Sequence, residues 1–200
     1  MSKIGIMGGT FDPIHNGHMK LAEQAYIQYS LDKLMFVPNH IPWMKADREI
    51  TAETHRLEMV RLAIEDFSRY ELSMIEIEAG GNSYTYQTLE TLKKMLPEDE
   101  LYFILGADSL FSIENWIHPE KIMANATLLA AVRDDCDSND LTAQCQKLTH
   151  KYGASIFPVS MPPIDISSTR IRACFYRDPE IAKMLPPKVA EYIIRHHLYE

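Results

Sequence analysis

The sequence predicts an α/β protein built on a doubly wound parallel sheet, and three observations predict it. Short apolar runs rich in β-forming residues alternate with longer amphipathic stretches along all 200 residues. Runs such as Tyr102-Phe103-Ile104-Leu105 and Leu128-Leu129-Ala130-Ala131-Val132 are apolar at successive positions, as strands covered on both faces are. The first run ends at a glycine pair ahead of a helical pattern, the strand-to-helix passage beyond which such sheets bind ligands.

Taken in order, the first strand is expected over Lys3–Met7 and a helix over Met19–Tyr29, followed by a strand over Lys33–Val37. Leu57, Val60, Ile64 and Phe67 then fall at i, i+3, i+7 and i+10, one apolar stripe with charges opposite. A third strand is expected over Leu72–Ile77, and Leu89, Leu92 and Leu96 mark the face of the next helix. Strands over Leu101–Leu105, Thr127–Val132 and Ser155–Val159 complete the sheet. Ser167 is placed to cap a helix running to about Tyr176, and the tail from Asp178 reads as helical, with Pro179 and Pro187 suited to first-turn positions. No repeat, low-complexity tract or Ser/Gly linker divides the chain. Residues 1–200 are therefore expected to form one domain, including a C-terminal helical segment from about residue 178.

Composition narrows the function. With 46% hydrophobic and 24% charged residues the chain can close a core, which excludes disordered and collagen-like classes. A net charge of −8 and a pI near 5.5 argue against a grip on duplex nucleic acid or an anionic membrane, so any phosphate must be caught locally. Cys136, Cys145 and Cys174 are odd in number and contain no CxxC pair, which disfavours a disulfide framework and a zinc knuckle. With no signal-type apolar region and no 18-residue apolar stretch, a cytoplasmic protein is expected.

The chemistry begins after the first strand, at Gly8-Gly9-Thr10-Phe11-Asp12-Pro13-Ile14-His15-Asn16-Gly17-His18. Glycines here let backbone N–H groups approach a phosphate, and the following helix N-terminus adds partial positive charge. The loop is neither GxGxxG nor a Walker A sequence. His15 and His18 sit where the loop enters the helix, so both imidazoles can face one anion. His-x-x-His beside Asp12 could also hold a metal, but no complementary Cys/His arm follows.

GGTFDPIHNGH over residues 8–18 resembles the signature of the (T/H)xGH nucleotidyltransferase superfamily, and especially that of the nicotinate-nucleotide adenylyltransferase family. The resemblance implies a Rossmann-like nucleotidyltransferase fold and transfer of AMP from ATP to nicotinate mononucleotide, giving nicotinate adenine dinucleotide and pyrophosphate in NAD biosynthesis. It implies that His15 and His18 hold the α- and β-phosphates of ATP, within a binding set that includes Gly8, Gly9, Thr10 and Phe11.

Ile166-Ser167-Ser168-Thr169-Arg170-Ile171-Arg172 is similar to the second signature of the same family. Read alone it is an anion site with two arginines or an ordinary N-cap with surface arginines. The resemblance assigns the triphosphate to Arg172, Ser167, Ser168 and Thr169. Gly106-Ala107-Asp108-Ser109 with Trp116 beyond it offers close approach at a strand end and a carboxylate suited to ribose hydroxyls; the bland alternative is a capping Asp and a half-buried Trp. In the family the tryptophan stacks on the pyridine ring. The backbone N–H groups of Thr85, in the family-like Ser83-Tyr84-Thr85-Tyr86, and of Ile117 correspond to those that receive the nicotinate carboxylate. The resemblance gives ATP contacts to Gly106 and Asp108, and mononucleotide contacts to Asn39, Lys45, Thr85, Tyr86, Asp108, Trp116, Ile117 and Arg133, where an exposed surface Arg133 is the alternative. Where the family usually has Pro-Pro-His-Lys, this chain has Pro42-Trp43-Met44-Lys45, retaining the lysine and replacing the Pro-His pair.

The catalytic set implied is thus His15, His18, Lys45 and Arg172, with no protein nucleophile and no protein metal cage; Mg²⁺ arrives with ATP. Expected partners are the small-molecule substrates, without nucleic acid or membrane, and a homo-oligomer is compatible with the sequence. Two competing readings are a phosphopantetheine adenylyltransferase-like enzyme and a non-catalytic nucleotide-binding module.

Overall fold

The structure is a computed structural model that describes residues 1–42, 50–132, 138–162 and 164–200. Lys45, Arg133 and the Trp43-Met44 pair lie outside these described residues. In chain order the strands are β1 (Lys3–Gly9), β2 (Lys33–Pro38), β3 (Ile41–Pro42), β4 (Tyr70–Leu72), β5 (Asn82–Ser83), β6 (Glu100–Leu105), β7 (Thr127–Val132) and β8 (Ile156–Ser160). The helices are α1 (Asn16–Gln28), α2 (Glu53–Ile64), α3 (Ile75–Ala79), α4 (Thr85–Met95), α5 (Ala107–Ser112), α6 (Pro119–Asn125), α7 (Ser138–Tyr152), α8 (Ser168–Cys174) and α9 (Pro187–Arg195).

Six strands form one parallel sheet in the order β4-β2-β1-β6-β7-β8, and β3 pairs with β5 in a separate two-stranded piece. Winding runs outward from β1 through β2 to β4, then returns to β6 on its other side. The C-terminal ends of β1 and β6 therefore flank the switch point at which such sheets open a crevice. Leu21, Ala22 and Ala25 of α1, Met59 and Val60 of α2, Ile171 of α8 and Val189 and Ile193 of α9 build the core on one face. Leu89 and Leu92 of α4, Leu110 of α5, Ile122 of α6 and Leu141 and Leu148 of α7 build the core on the other. The period of two is visible in β1: Ile4 and Ile6 enter the second core and Met7 the first. Gly5 is needed beside Met7, since a Cβ there would come within 2.7 Å of Leu31 Cδ1 and 3.2 Å of Ile104 Cδ1.

Three sequence expectations are corrected. The run Leu72–Ile77 is not one strand: β4 ends at Leu72 and Ile75–Ala79 is a helix, because Glu76 is drawn inward by hydrogen bonds from Asn39 and Thr88. Gly8 and Gly9 are strand residues, extending β1 in register with Val37 and Pro38, so the anion loop starts at Thr10. Helix α2 stops at Ile64, leaving Phe67 exposed and stacked on Tyr70 rather than part of the stripe. Helix α8 ends at Cys174, and Pro179 and Pro187 occupy first-turn positions as expected. Among the described residues no helix is long and apolar enough to cross a membrane.

Candidate active site

His15 is the N-cap of α1, and the cap is made by the two histidines together. The His18 N–H donates to His15 Nδ1 at 3.4 Å, and the His15 N–H donates to His18 Nδ1 at 3.3 Å, a capping box in which imidazoles replace the usual hydroxyl and carboxylate. The rings stack at 3.7 Å between centroids with 21° between planes. Because both Nδ1 atoms accept, the neutral rings carry their protons on Nε2. An Nε2–H at the positive end of α1 is a donor suited to an anion. Gly17 is what allows the stack: a Cβ there would lie 3.0 Å from His15 Nδ1. His15 is 6% exposed, and burial pulls its pKa down to about 4, so it is neutral at pH 7.

Phe11 supports this pair from below. Its backbone is left-handed at φ 48°, its ring is 2% exposed, and it meets His18 edge-on at 5.2 Å. Any contact from Phe11 to nucleotide therefore falls to its backbone.

The second motif docks on the first. Ser168 Oγ donates to Pro13 O at 3.0 Å and Arg172 Nη1 donates to Asp12 O at 2.6 Å, joining segments 155 and 160 residues apart. Ser167 caps α8, accepting from the Arg170 N–H at 3.2 Å, and Thr169 Oγ1 lies 3.4 Å from Arg172 Nη2. The candidate nucleotide residues Thr10, Phe11, His15, His18, Ser167, Ser168, Thr169 and Arg172 are thus brought together around one loop, at the end of the strand carrying Gly8 and Gly9. Arg170 departs from expectation: its guanidinium pairs with Asp165 at 3.1 Å instead of adding to an anion site.

The acceptor candidates occupy the same end of the sheet. Beyond β6 the space in front of Gly106 is open, and Asp108 is exposed in the first turn of α5, whose N-cap is Gly106 rather than the aspartate. Thr85 and Tyr86 open α4, whose cap residue Tyr84 makes no side-chain cap bond, so first-turn N–H groups are presented. Trp116 packs edge-on against Phe103 at 6.3 Å, and its buried Nε1–H has no hydrogen-bond partner among the described residues. Ile117 beside it is exposed. Asn39 links the two halves: its N–H donates to Gly9 O at 2.9 Å and its Nδ2 to Glu76 Oε2 at 2.8 Å. Glu76 also accepts from Thr88 of α4 at 2.6 Å, and Ser83 Oγ accepts the His40 N–H at 2.8 Å. Among the described residues no group of three or more His, Cys, Asp or Glu is placed to hold a metal ion.

Arg56, Glu76 and Tyr199, absent from the sequence-derived set, and Asp12, weighed there only as a metal ligand, shape this site. Arg56 is 1% exposed and donates to three main-chain carbonyls, Thr10 O at 2.8 Å, Thr51 O at 3.1 Å and His40 O at 3.3 Å, tying the anion loop to the end of β2. Its signal was available: it stands on the α2 face shared by Met59, Val60 and Ala63, a charge in an apolar stripe. Glu76 and Asp12 are buried carboxylates, and Tyr199 hydrogen-bonds Asp12 from the C-terminus. Nothing in local sequence marks Tyr199.

The cytidylyltransferase-like family model matches residues 6–174. A protein of Lachnoclostridium phytofermentans named as a probable nicotinate-nucleotide adenylyltransferase is 42% identical over 199 residues, covering 100% of both chains. One of Bacillus pumilus with the same name is 38% identical over 200 residues, again covering 100% of both. Among solved structures, the Plasmodium falciparum nicotinic acid mononucleotide adenylyltransferase complexed with NaAD superposes with a TM-score of 0.81 at 22% identity, covering 100% of this chain and 98% of that one.

Proposed function

The chain belongs to the cytidylyltransferase-like family and within it to the nicotinate-nucleotide adenylyltransferases, and from that membership we propose how its own residues transfer AMP from ATP to nicotinate mononucleotide. The acceptor phosphate is itself the nucleophile. It attacks the α-phosphorus in line as pyrophosphate departs, so the protein's task is positioning and charge neutralisation. The observation that carries this reading is the docking of α8 on the loop before α1 through Ser168 to Pro13 and Arg172 to Asp12. That contact brings the helix carrying Arg172 onto the loop that leads into His15 and His18.

His15 and His18 donate Nε2–H to the phosphates next to the bond that breaks. Arg172 uses part of its five-donor guanidinium on Asp12 O and Thr169 and turns the rest to the leaving pyrophosphate. Backbone groups of Gly8, Gly9 and Thr10 line the approach, and Gly106 and Asp108 take the ribose. Mg²⁺ enters as part of the ATP substrate and spreads charge over the triphosphate. Lys45, as a charge in the catalytic set and a mononucleotide contact, and Arg133, as a contact to the mononucleotide phosphate, keep the roles expected from the sequence. On the acceptor side the pyridine ring stacks on Trp116, and its carboxylate meets the N–H groups of Thr85 and Ile117.

Pyrophosphate release with ATP alone, with ATP plus nicotinate mononucleotide and with ATP plus phosphopantetheine tests the reading. Release is expected with nicotinate mononucleotide only. Release with phosphopantetheine would move the assignment to the other enzyme, and ATP binding without release under any condition would favour a nucleotide-binding module.

A further inference from the structure

We propose that Tyr199, the penultimate residue, is a positioning residue for adenylyl transfer: its hydroxyl holds the Asp12 carboxylate away from Arg172 and so keeps the guanidinium for the triphosphate. The proposal deepens the reading above and rests on it.

Asp12 is where four parts of the chain meet. It is 5% exposed and lies in the anion loop three residues before His15. Its Oδ1 accepts from the Tyr199 hydroxyl at 2.8 Å, its Oδ2 lies 3.3 Å from the Thr51 N–H, and its main-chain carbonyl accepts from Arg172 Nη1 at 2.6 Å. Arg172 therefore touches the carbonyl of a residue whose carboxylate is a far better partner for it, since a guanidinium and a carboxylate form paired charge-assisted hydrogen bonds. Among the described residues the carboxylate accepts instead from one hydroxyl and one backbone N–H, with the Arg56 charge acting on it as well. Burial and the Asp12 charge keep the Tyr199 hydroxyl protonated well above the ordinary phenol range. Tyr199 is thus a donor at any working pH, standing beside the ion pair that its hydrogen bond forestalls.

The C-terminus is built to deliver it. After α9 ends at Arg195 the chain enters the left-handed region at His197 (φ 53°) and again at Tyr199 (φ 69°), conformations that side-chain-bearing residues adopt only when surrounding contacts impose them. Those contacts are present. Val189, Ala190 and Ile193 of α9 share a core with Met59, Val60 and Ala63 of α2, and the Leu198 N–H donates to Ile193 O at 3.1 Å. Lys188 also bridges Glu65 and Asp66 at 2.7 and 2.8 Å.

The test uses the full chain in three forms: wild type, Tyr199→Phe, and Tyr199→Phe combined with Asp12→Asn. ATP affinity is read by calorimetry, kcat and KM by pyrophosphate release, and stability by thermal melting. Tyr199→Phe keeps the ring and loses the hydroxyl, and it is expected to weaken ATP binding about tenfold as the freed carboxylate captures Arg172. Removing the carboxylate charge in the double variant is expected to restore most of that affinity, a rescue that a merely structural role for Tyr199 does not give. Unchanged ATP affinity in Tyr199→Phe overturns the proposal, as does a loss that the double variant deepens or leaves in place. Failure of the underlying reading registers separately, in the wild type, as no pyrophosphate release with nicotinate mononucleotide.

Discussion

Lowering the pH from 7.5 to 5 should destabilise the protein through His15. In the unfolded chain this imidazole titrates near the ordinary value of 6.5, whereas in the folded protein burial holds its pKa at about 4. Between these two values the unfolded state binds the proton and the folded state refuses it. Stability therefore rises with pH across that window and falls as the medium is acidified through it. Above pH 6.5 the contribution is complete; at pH 5 about 2 kcal/mol of it has gone, and below pH 4 the loss approaches about 3 kcal/mol. Other groups titrate over the same range, so the quantity to measure is a difference. His15→Asn keeps a good N-cap on α1 and cannot titrate. Urea unfolding of both proteins at pH 7.5 and 5.0 should show the wild type losing about 2 kcal/mol more than the variant. A difference below about 0.5 kcal/mol would mean that His15 accepts its proton in place, and the neutral, Nε2-protonated His15 cap would be wrong.

Other outcomes follow from the same geometry. His18→Ala should depress kcat more than about tenfold while ATP affinity stays within a few-fold, because the imidazole meets charge that develops in transfer; equal losses in both would remove that role. Ser167→Ala deletes the acceptor that caps α8 and should cost roughly 1 kcal/mol of stability together with a raised KM for ATP, whereas an unchanged melting temperature and KM would show it to be neither cap nor ligand. If the pyridine substituent meets the two N–H groups of Thr85 and Ile117, the amide substrate leaves one buried donor unpaired. kcat/KM should then favour nicotinate over nicotinamide mononucleotide by at least about a hundredfold. Trp116→Ala should weaken both by similar factors, and a ratio that collapses in that variant would place acid recognition elsewhere.

The sheet was legible in the residues because its signal is local. Continuous apolar runs at Leu101–Leu105 and Thr127–Val132 suit strands covered on both faces, as in a parallel sheet, and both became central strands. The two signatures were legible for a related reason: Gly17 beside His15 and His18, and Ser167 ahead of Arg172, are dictated by the backbone of a single turn each. Ile75-Glu76-Ile77-Glu78 carries the alternation of a strand and became a helix, since Glu76 finds Asn39 and Thr88 only in three dimensions. The glycine pair read as a loop was drawn into β1 by pairing with Val37 and Pro38. Arg56, Tyr199 and the structural role of Asp12 escaped for one physical reason. Periodicity reports which side chains leave water because they are apolar, whereas a buried charge is tolerated only where distant backbone groups satisfy it. The carbonyls that hold Arg56 and the tyrosine that holds Asp12, 187 residues away along the chain, become its partners only once the sheet has closed and the C-terminal helix has packed on α2.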